Sequence, residues 1–169
     1  NRLTGESFVA EGRTAPSAGV RVSRDKVTVD GLEFTHRATI EGKDLVIRQE
    51  AVTKTPPLVG VLWGIAEMAE DVEVLVPGHS GLRFGPGAPD GEHRFTWPMS
   101  WEAQFVLLQG KRGGFLVMSD DTTMQFKELV VRRHSGRMTL SFETQAPAPF
   151  ANVREVKSVT WRLQPYRGS

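Results

Sequence analysis

Cysteine is absent from this 169-residue chain, and the sites that need a thiolate sulfur are absent with it. The sequence therefore excludes disulfide bonds, cysteine ligands for zinc and cysteine nucleophiles. Asparagine occurs only as Asn1 and Asn152, and neither begins a glycosylation sequon. These absences leave the compartment open, because many exported bacterial proteins carry no disulfide. A secreted or periplasmic bacterial location is favoured.

Long apolar runs and a strong charge of one sign are also missing. The longest apolar run, Leu58 to Ala66, is far shorter than the ~20 residues of a membrane-spanning helix. The 21 basic and 20 acidic residues leave a net charge of +1, so no overall field attracts nucleic acid or an anionic membrane. We expect neither as a partner. The 39% hydrophobic and 24% charged content is typical of one folded domain, over residues 1–169.

Apolar residues at alternate positions predict strands with one apolar face. The sets that alternate are Met138 with Leu140 and Phe142, Val159 with Trp161 and Leu163, and Phe34 with Ala38 and Ile40. Turn signals separate such strands at Asp30-Gly31, at Gly42-Lys43 and at 110–114. The sequence therefore predicts an all-β fold, an antiparallel β-sandwich made of consecutive meanders.

Three stretches depart from this regular pattern. The run 58–69 predicts a buried strand followed by a turn, with one or two helical turns at 65–70 as the alternative. The segment 124–133 predicts a strand with a bulge near Glu128, where alternation breaks. Glycine and proline between Gly78 and Pro98 predict one long loop. We therefore expect a sandwich with one long loop and at most one short helix.

Tryptophan supplies the first candidate ligand site. Trp97 and Trp101 lie at the end of the predicted long loop, where an exposed indole would form a platform for a sugar ring. The competing interpretation places these rings in the core or at its rim, and for Trp63 and Trp161 we favour the core. Glu102, next to Trp101, is an isolated acidic candidate for carbohydrate binding.

Adjacent acids at Asp120 and Asp121 suggest glycoside hydrolysis, which needs two carboxylates across one scissile bond. Neighbours on a strand point to opposite faces, so these two should not meet one substrate. We expect them, like Asp25, Asp30 and Asp90, to cap backbone amides in turns. The sequence contains no pattern from which a catalytic residue can be named.

The histidines are His36, His79, His93 and His134, and none has the spacing of a metal site. His36 falls on the apolar face of its strand and is expected in the core. His79 and His93 bracket the predicted long loop, so they could meet in space and contact a sugar. Phosphate-loop and serine-elbow motifs are also absent. We expect no metal and no cofactor.

Three segments carry motifs that suggest a family. They are 73–81 (EVLVPGHSG), 101–108 followed by 113–121 and Lys127, and 159–168 (VTWRLQPYRG). The second is a Gly-Gly hairpin followed by aspartate and lysine, and the third is a last strand with an exit segment. In this order they resemble the N-terminal supersandwich domain, of galactose-mutarotase type, that precedes the catalytic barrel in a group of bacterial glycoside hydrolases.

The resemblance implies a non-catalytic domain that lies against a C-terminal catalytic barrel of the same polypeptide, which supplies the catalytic carboxylates. Carbohydrate would be the ligand, and the chain would be a fragment of a longer multidomain enzyme. Three alternatives stay open: an independent carbohydrate-binding module that uses Trp97 and Trp101, a small mutarotase or epimerase that uses His79 or His93, and a plain protein-interaction sandwich. The histidine pair and glutamate of the mutarotases do not map onto this sequence.

Overall fold

A computed structural model describes residues 8–14, 18–22, 26–29, 31–68 and 71–168. In these ranges the regular elements are strands and one 3-10 turn at Phe150–Asn152. The strands are β1 (Phe8–Thr14), β2 (Ala18–Val22), β3 (Lys26–Val29), β4 (Leu32–Glu41), β5 (Asp44–Thr53), β6 (Leu58–Met68), β7 (Glu73–Val76), β8 (Leu82–Phe84), β9 (Gly91–Trp97), β10 (Phe105–Gly110), β11 (Gly113–Asp120), β12 (Lys127–His134), β13 (Arg137–Gln145), β14 (Glu155–Lys157) and β15 (Thr160–Arg167). The predicted all-β class is confirmed. The described part of the chain contains no helix with the length and apolar character needed to cross a membrane.

The strands form two antiparallel sheets that face each other. One has six strands in the order β2-β1-β6-β13-β12-β9. The other has nine, in the order β3-β4-β5-β15-β11-β10-β7-β8, with β14 paired to β5. Strand β15 therefore lies in the middle of the larger sheet, between β5 and β11.

Aromatic rings fill the space between the sheets. Trp63 of β6 stacks on Phe142 of β13, with ring centroids 4.5 Å apart. Trp161 of β15 contacts both from the opposite sheet, at 5.9 Å from Trp63 and 5.2 Å from Phe142. Trp63 and Trp161 are fully buried, so the core interpretation of these two indoles is confirmed.

The connections divide between two ends of the sandwich. We call one the Asp121 end; it carries the connections 54–57, 77–81, 98–104, 121–126 and 146–154. We call the other the Arg112 end; it carries 42–43, 85–90, 111–112 and 135–136. Antiparallel pairing fixes this division, because β9 and β13 end where β12 begins, and β11 ends where β10 and β15 begin.

The predicted tight turns agree with the structure wherever it describes them. Gly110 pairs with Gly113 across Lys111-Arg112, and Glu41 pairs with Asp44 across Gly42-Lys43. Val29 pairs with Leu32, which leaves room for the predicted two-residue turn. Asp30 of that turn and Asp25 lie outside the described residues.

Alternation predicts burial well in the middle of the sheets and poorly at one edge. Met138, Leu140, Phe142, Trp161 and Leu163 are all buried, as predicted. On β4, Phe34, Ala38 and Ile40 lie on one face of the strand as predicted, but only Phe34 is buried, while Ala38 and Ile40 are exposed. The reason is that β3 pairs with β4 only as far as Thr35, and among the described residues no strand flanks the rest of β4 on that side.

Three irregular stretches differ from their predictions in detail. Residues 58–68 form one strand, as expected, so the helical alternative is wrong through Met68; residues 69 and 70 lie outside the described ranges. The bulge near Glu128 was wrong, because β12 pairs without a break with both β9 and β13. The segment 78–98 is not continuous loop: it contains β8 and β9, and its glycine and proline residues concentrate in 85–90.

Candidate functional site

Two predicted site residues, His79 and Glu102, come together at the Asp121 end. The backbone N–H of Glu102 donates to the Pro77 carbonyl at 2.7 Å, which joins the connections 77–81 and 98–104. The Glu102 side chain turns back and its Oε1 accepts the backbone N–H of Ser80 at 3.4 Å. Both His79 and Glu102 are exposed, so an imidazole and a carboxylate stand on neighbouring turns at the surface.

The turn that holds His79 has an unusual backbone. His79, Ser80 and Gly81 have φ angles of 52°, 70° and 95°, all in the left-handed region that side chains with a Cβ rarely adopt. The preceding Gly78 is pressed against the other connection, since a Cβ on it would lie 2.3 Å from the Ser100 carbonyl oxygen. Strained non-glycine residues of this kind are found preferentially at functional sites.

Trp101 does not form a surface platform. Its side chain is fully buried, and its ring stacks on Trp161 with centroids 6.3 Å apart. The indole Nε1–H donates to the Phe105 carbonyl at 3.0 Å, so its polar atom is satisfied inside the protein. The expectation of an exposed indole at Trp101 was therefore wrong. The error arose because Trp101 follows a turn that directs the chain into the core, where the ring packs on Trp161 of the nine-stranded sheet.

Trp97 is half-buried at the end of β9 and packs against the core. The Lys127 Nζ lies 5.6 Å from the centre of the Trp97 ring, within the range of a cation–π contact. The indole Nε1 of Trp97 is buried and has no hydrogen-bond partner among the described residues. The exposed apolar residue of this connection is instead Met99, at 73% exposure.

His93 lies apart from His79 and is exposed, on the same face of β9 as Phe95. The two histidines are the ends of a row of rings: His79 is 6.2 Å from Phe95, Phe95 is 6.1 Å from Phe84, and Phe84 is 4.8 Å from His93. Two phenylalanine rings thus stand between the imidazoles. Within the described ranges, no three His, Asp, Glu or Cys side chains are grouped so that they could hold a metal ion.

The adjacent acids Asp120 and Asp121 point in opposite directions, as predicted. Asp120 Oδ2 accepts Arg162 Nε at 3.2 Å on the outer face of the larger sheet. Asp121 turns inward, where its carboxylate caps the backbone N–H groups of Thr123 at 2.8 Å and Gln125 at 3.0 Å. The capping role expected of Asp121 is confirmed, and these two carboxylates do not face a common ligand.

A buried ion pair at this end was missed in the sequence analysis. Lys127 is 0% exposed, and its Nζ contacts Asp121 Oδ2 at 2.5 Å. Burial opposes ionisation of Asp121, but hydrogen bonds from Lys127 and Thr123 outweigh it and lower the pKa of the carboxyl to about 2. The signal was present, because alternation along β12 places Lys127 on the same face as Leu129 and Val131.

The outer faces of both sheets carry exposed ion pairs. On the six-stranded sheet, Arg94 contacts Glu92 at 2.7 Å and Glu128 at 2.8 Å. On the nine-stranded sheet, Arg162 contacts Asp120 at 3.2 Å and Asp44 at 3.3 Å. Several exposed large apolar side chains lie instead at the Asp121 end: Met99, Phe105, Met124, Phe126 and Phe150. Exposed large apolar side chains of the described residues are thus most numerous at the Asp121 end, which distinguishes this end as a candidate contact surface.

Sequence comparison finds no matching family model and no matching curated protein. Among solved structures, the chain is similar to the galactosidase domain of an alpha-galactosidase-sucrose kinase, AgaSK, with a TM-score of 0.59 and 10% sequence identity. The two share a fold. The similarity covers 99% of this chain and 26% of that chain, so this chain spans about a quarter of the galactosidase structure that it matches. The β-sandwich implied by the sequence motifs is confirmed at this level.

Proposed function

We propose that this chain is a non-catalytic β-sandwich domain of a carbohydrate-active enzyme, a glycoside hydrolase. It would support a catalytic barrel of the same polypeptide and contribute sugar contacts from the Asp121 end. The observation that carries the proposal is the fold shared with the AgaSK galactosidase domain over 99% of the chain. The order of the three sequence motifs points to the same class of domain.

His79 and Glu102 are the residues to which we assign the sugar contact. A carboxylate accepts hydrogen bonds from sugar hydroxyls, and an imidazole can donate or accept one. The two groups stand on turns that are hydrogen-bonded to each other, which favours a fixed geometry. Met99 offers apolar surface in the same connection for the C–H face of a pyranose. Sugar sites commonly combine a few convergent polar groups with such apolar surface.

Calorimetric titration with melibiose, an α-galactoside, tests this assignment, with cellobiose as the comparison sugar. We expect wild-type protein to bind, and His79→Ala and Glu102→Gln each to raise the Kd about tenfold, which corresponds to about 1.4 kcal/mol. His134→Ala at the Arg112 end is the matched control and should leave the Kd unchanged. Failure of the wild-type chain to bind either sugar, or an equal loss in the control, would contradict the assignment.

The structural role beside a barrel has a separate test in the coding sequence around this segment. A (β/α)8 barrel encoded in the same reading frame, with two carboxylates at the ends of its strands, would support the proposal. A reading frame that encodes this domain alone would count against the accessory role. The alternative of an independent module that stacks sugar on both Trp97 and Trp101 is weakened, because Trp101 is fully buried.

A further inference from the structure

Lys127 is an unusual residue for the interior of a sandwich. Its side chain is 0% exposed and shares the inward face of β12 with Leu129. The Nζ donates to Asp121 Oδ2 at 2.5 Å and to the Gln125 carbonyl at 2.8 Å, and the Asp121 side chain is only 2% exposed. Buried ion pairs seldom raise stability relative to apolar residues of the same size, so this pair calls for another explanation.

Asp121 determines the shape of the connection that follows it. Its carboxylate accepts the backbone N–H and the hydroxyl of Thr123, the backbone N–H of Gln125 and the ammonium of Lys127. Between these anchors Met124 has a φ of 60° and is 57% exposed, and Phe126 is 50% exposed. The buried pair therefore holds two apolar side chains at the surface, one of them on a left-handed backbone.

The same pair also reaches the neighbouring connection, 98–104. Lys127 is paired with Trp97 in the register of β12 and β9, and its Nζ lies 5.6 Å from the Trp97 ring. Gln104 Nε2 donates to the Asp121 carbonyl at 3.3 Å, while its Oε1 accepts the Ser119 hydroxyl at 2.6 Å. The connections 98–104 and 121–126 thus meet at the backbone of Asp121, and Lys127 contacts Trp97, the strand residue from which the connection 98–104 begins.

We propose that Asp121 and Lys127 are positioning residues that hold the connections 98–104 and 121–126 in one conformation, and so preorganise the contact surface of the Asp121 end. The inference rests on the proposed function only for what this surface binds; the positioning of the two connections does not depend on it. In this role, the contribution of the pair to the free energy of unfolding is secondary to its effect on the conformation of the connections. A pair of apolar residues could replace the ion pair without unfolding the domain, but it could not reproduce the hydrogen bonds to Thr123 and Gln125.

Amide hydrogen exchange, measured residue by residue by NMR, tests the proposal. The decisive variant is the double substitution Asp121→Leu/Lys127→Met, which removes both buried charges and is therefore expected to fold. We expect the amides of Thr123 and Gln125, and those of Ser100 and Trp101 that bond to Thr96, to exchange at least tenfold faster than in wild type. The amides of Val131 and Phe142 in the sheet should be unchanged.

Two single variants and a matched control complete the design. Asp121→Asn and Lys127→Met each leave one partner buried alone, so they should unfold at lower urea concentration than the double variant. Asp120→Asn changes the neighbouring exposed acid and should accelerate none of these amides. Wild-type protection of the two connections in the double variant would overturn the proposal, as would acceleration spread equally through the sheets.

Melibiose titration of the double variant provides the second readout. If wild type binds the sugar, we expect the double variant to bind about tenfold more weakly even though His79 and Glu102 are intact. Unchanged affinity together with accelerated exchange would restrict the positioning role to the backbone and overturn its link to the binding surface. If wild type binds no sugar, the proposed function fails, and hydrogen exchange alone still decides whether the pair positions the connections.

Discussion

The two ends of the sandwich obtain their shapes by different means. At the Arg112 end, three of the four connections named above are two-residue turns such as Lys111-Arg112, and in these the backbone itself determines the geometry. At the Asp121 end, longer connections are held by side chains, above all by the carboxylate of Asp121. One end is therefore specified by residues that permit a backbone conformation, and the other by residues that make hydrogen bonds inside the protein.

The difference also separates the expected effects of mutation on stability from the expected effects on surface shape. Exposed large apolar side chains such as Met99 and Met124 lie at the Asp121 end, whereas the turn residues Lys111 and Arg112 are exposed and charged. An end built from backbone turns can vary its side chains without changing shape. At the end held by a buried ion pair, substitution of that pair changes the conformation of the connections and the positions of their exposed side chains.

The largest effect is expected at the backbone-determined end, from Gly114→Ala. A Cβ on Gly114 would lie 1.7 Å from the Leu108 carbonyl oxygen and 2.8 Å from Tyr166 Oη, so strands β10, β11 and β15 would have to separate. We expect a loss of about 3 kcal/mol in the free energy of unfolding, the upper part of the overpacking range. Urea denaturation measures it. Gly91→Ala, where no atom lies within 4 Å, is the control and should shift stability by less than about 0.5 kcal/mol.

An intermediate effect is expected at the Asp121 end when the pH falls. The Asp121 pKa is about 2 in the folded protein against an ordinary value of 3.8. A lowered carboxyl pKa stabilises the folded state above about pH 4, and this contribution is lost as the pH falls through about 2. The shift corresponds to about 2 kcal/mol. Urea unfolding between about pH 5 and pH 2 should show this dependence in wild type and less of it in Asp121→Asn; equal slopes would contradict the assignment.

The smallest effect is expected for a side-chain contact at the Arg112 end. Asp90 Oδ2 accepts the backbone N–H of Ser135 at 2.9 Å, the same kind of contact that Asp121 makes, but at the surface. We expect Asp90→Ala to cost only about 0.5–1 kcal/mol, because water replaces the lost acceptor. The measurement is again urea denaturation. A loss of several kcal/mol would show that side chains govern both ends equally, and the contrast between them would disappear.

The sequence predicted the features that depend on a few adjacent residues. Gly42-Lys43 and 110–114 were recognisable as turns because glycine supplies backbone conformations that other residues resist. Burial of Met138, Leu140 and Phe142 followed from simple alternation. Capping by Asp121 was predicted on the same local grounds, since a short acid after a strand bonds to the amides that follow it.

The sequence did not predict features that depend on contacts between distant segments. Trp101 lies inside because its ring stacks on Trp161, which comes from a strand much later in the chain. The burial of Lys127 depends likewise on Trp97 of the neighbouring strand β9, and on Asp121 folding back from the connection that precedes β12. The placement of His79 and Glu102 on neighbouring turns requires the connections 77–81 and 98–104 to be joined by hydrogen bonds, and these connections are separated by two strands in the sequence. The residue pattern of a single segment contains no information about its contacts with other segments.

The central place of β15 has a consequence for how the chain folds. The nine-stranded sheet consists of two separate halves, ending at β5 and at β11, until residues 160–167 are inserted between them. A polypeptide emerging from the ribosome therefore holds two unpaired inner edges until β15 has been made, and such edges recruit strands from other molecules. Nascent chains interrupted before β15 should accumulate as aggregates, and the nine-stranded sheet should form only after residues 160–167 have emerged.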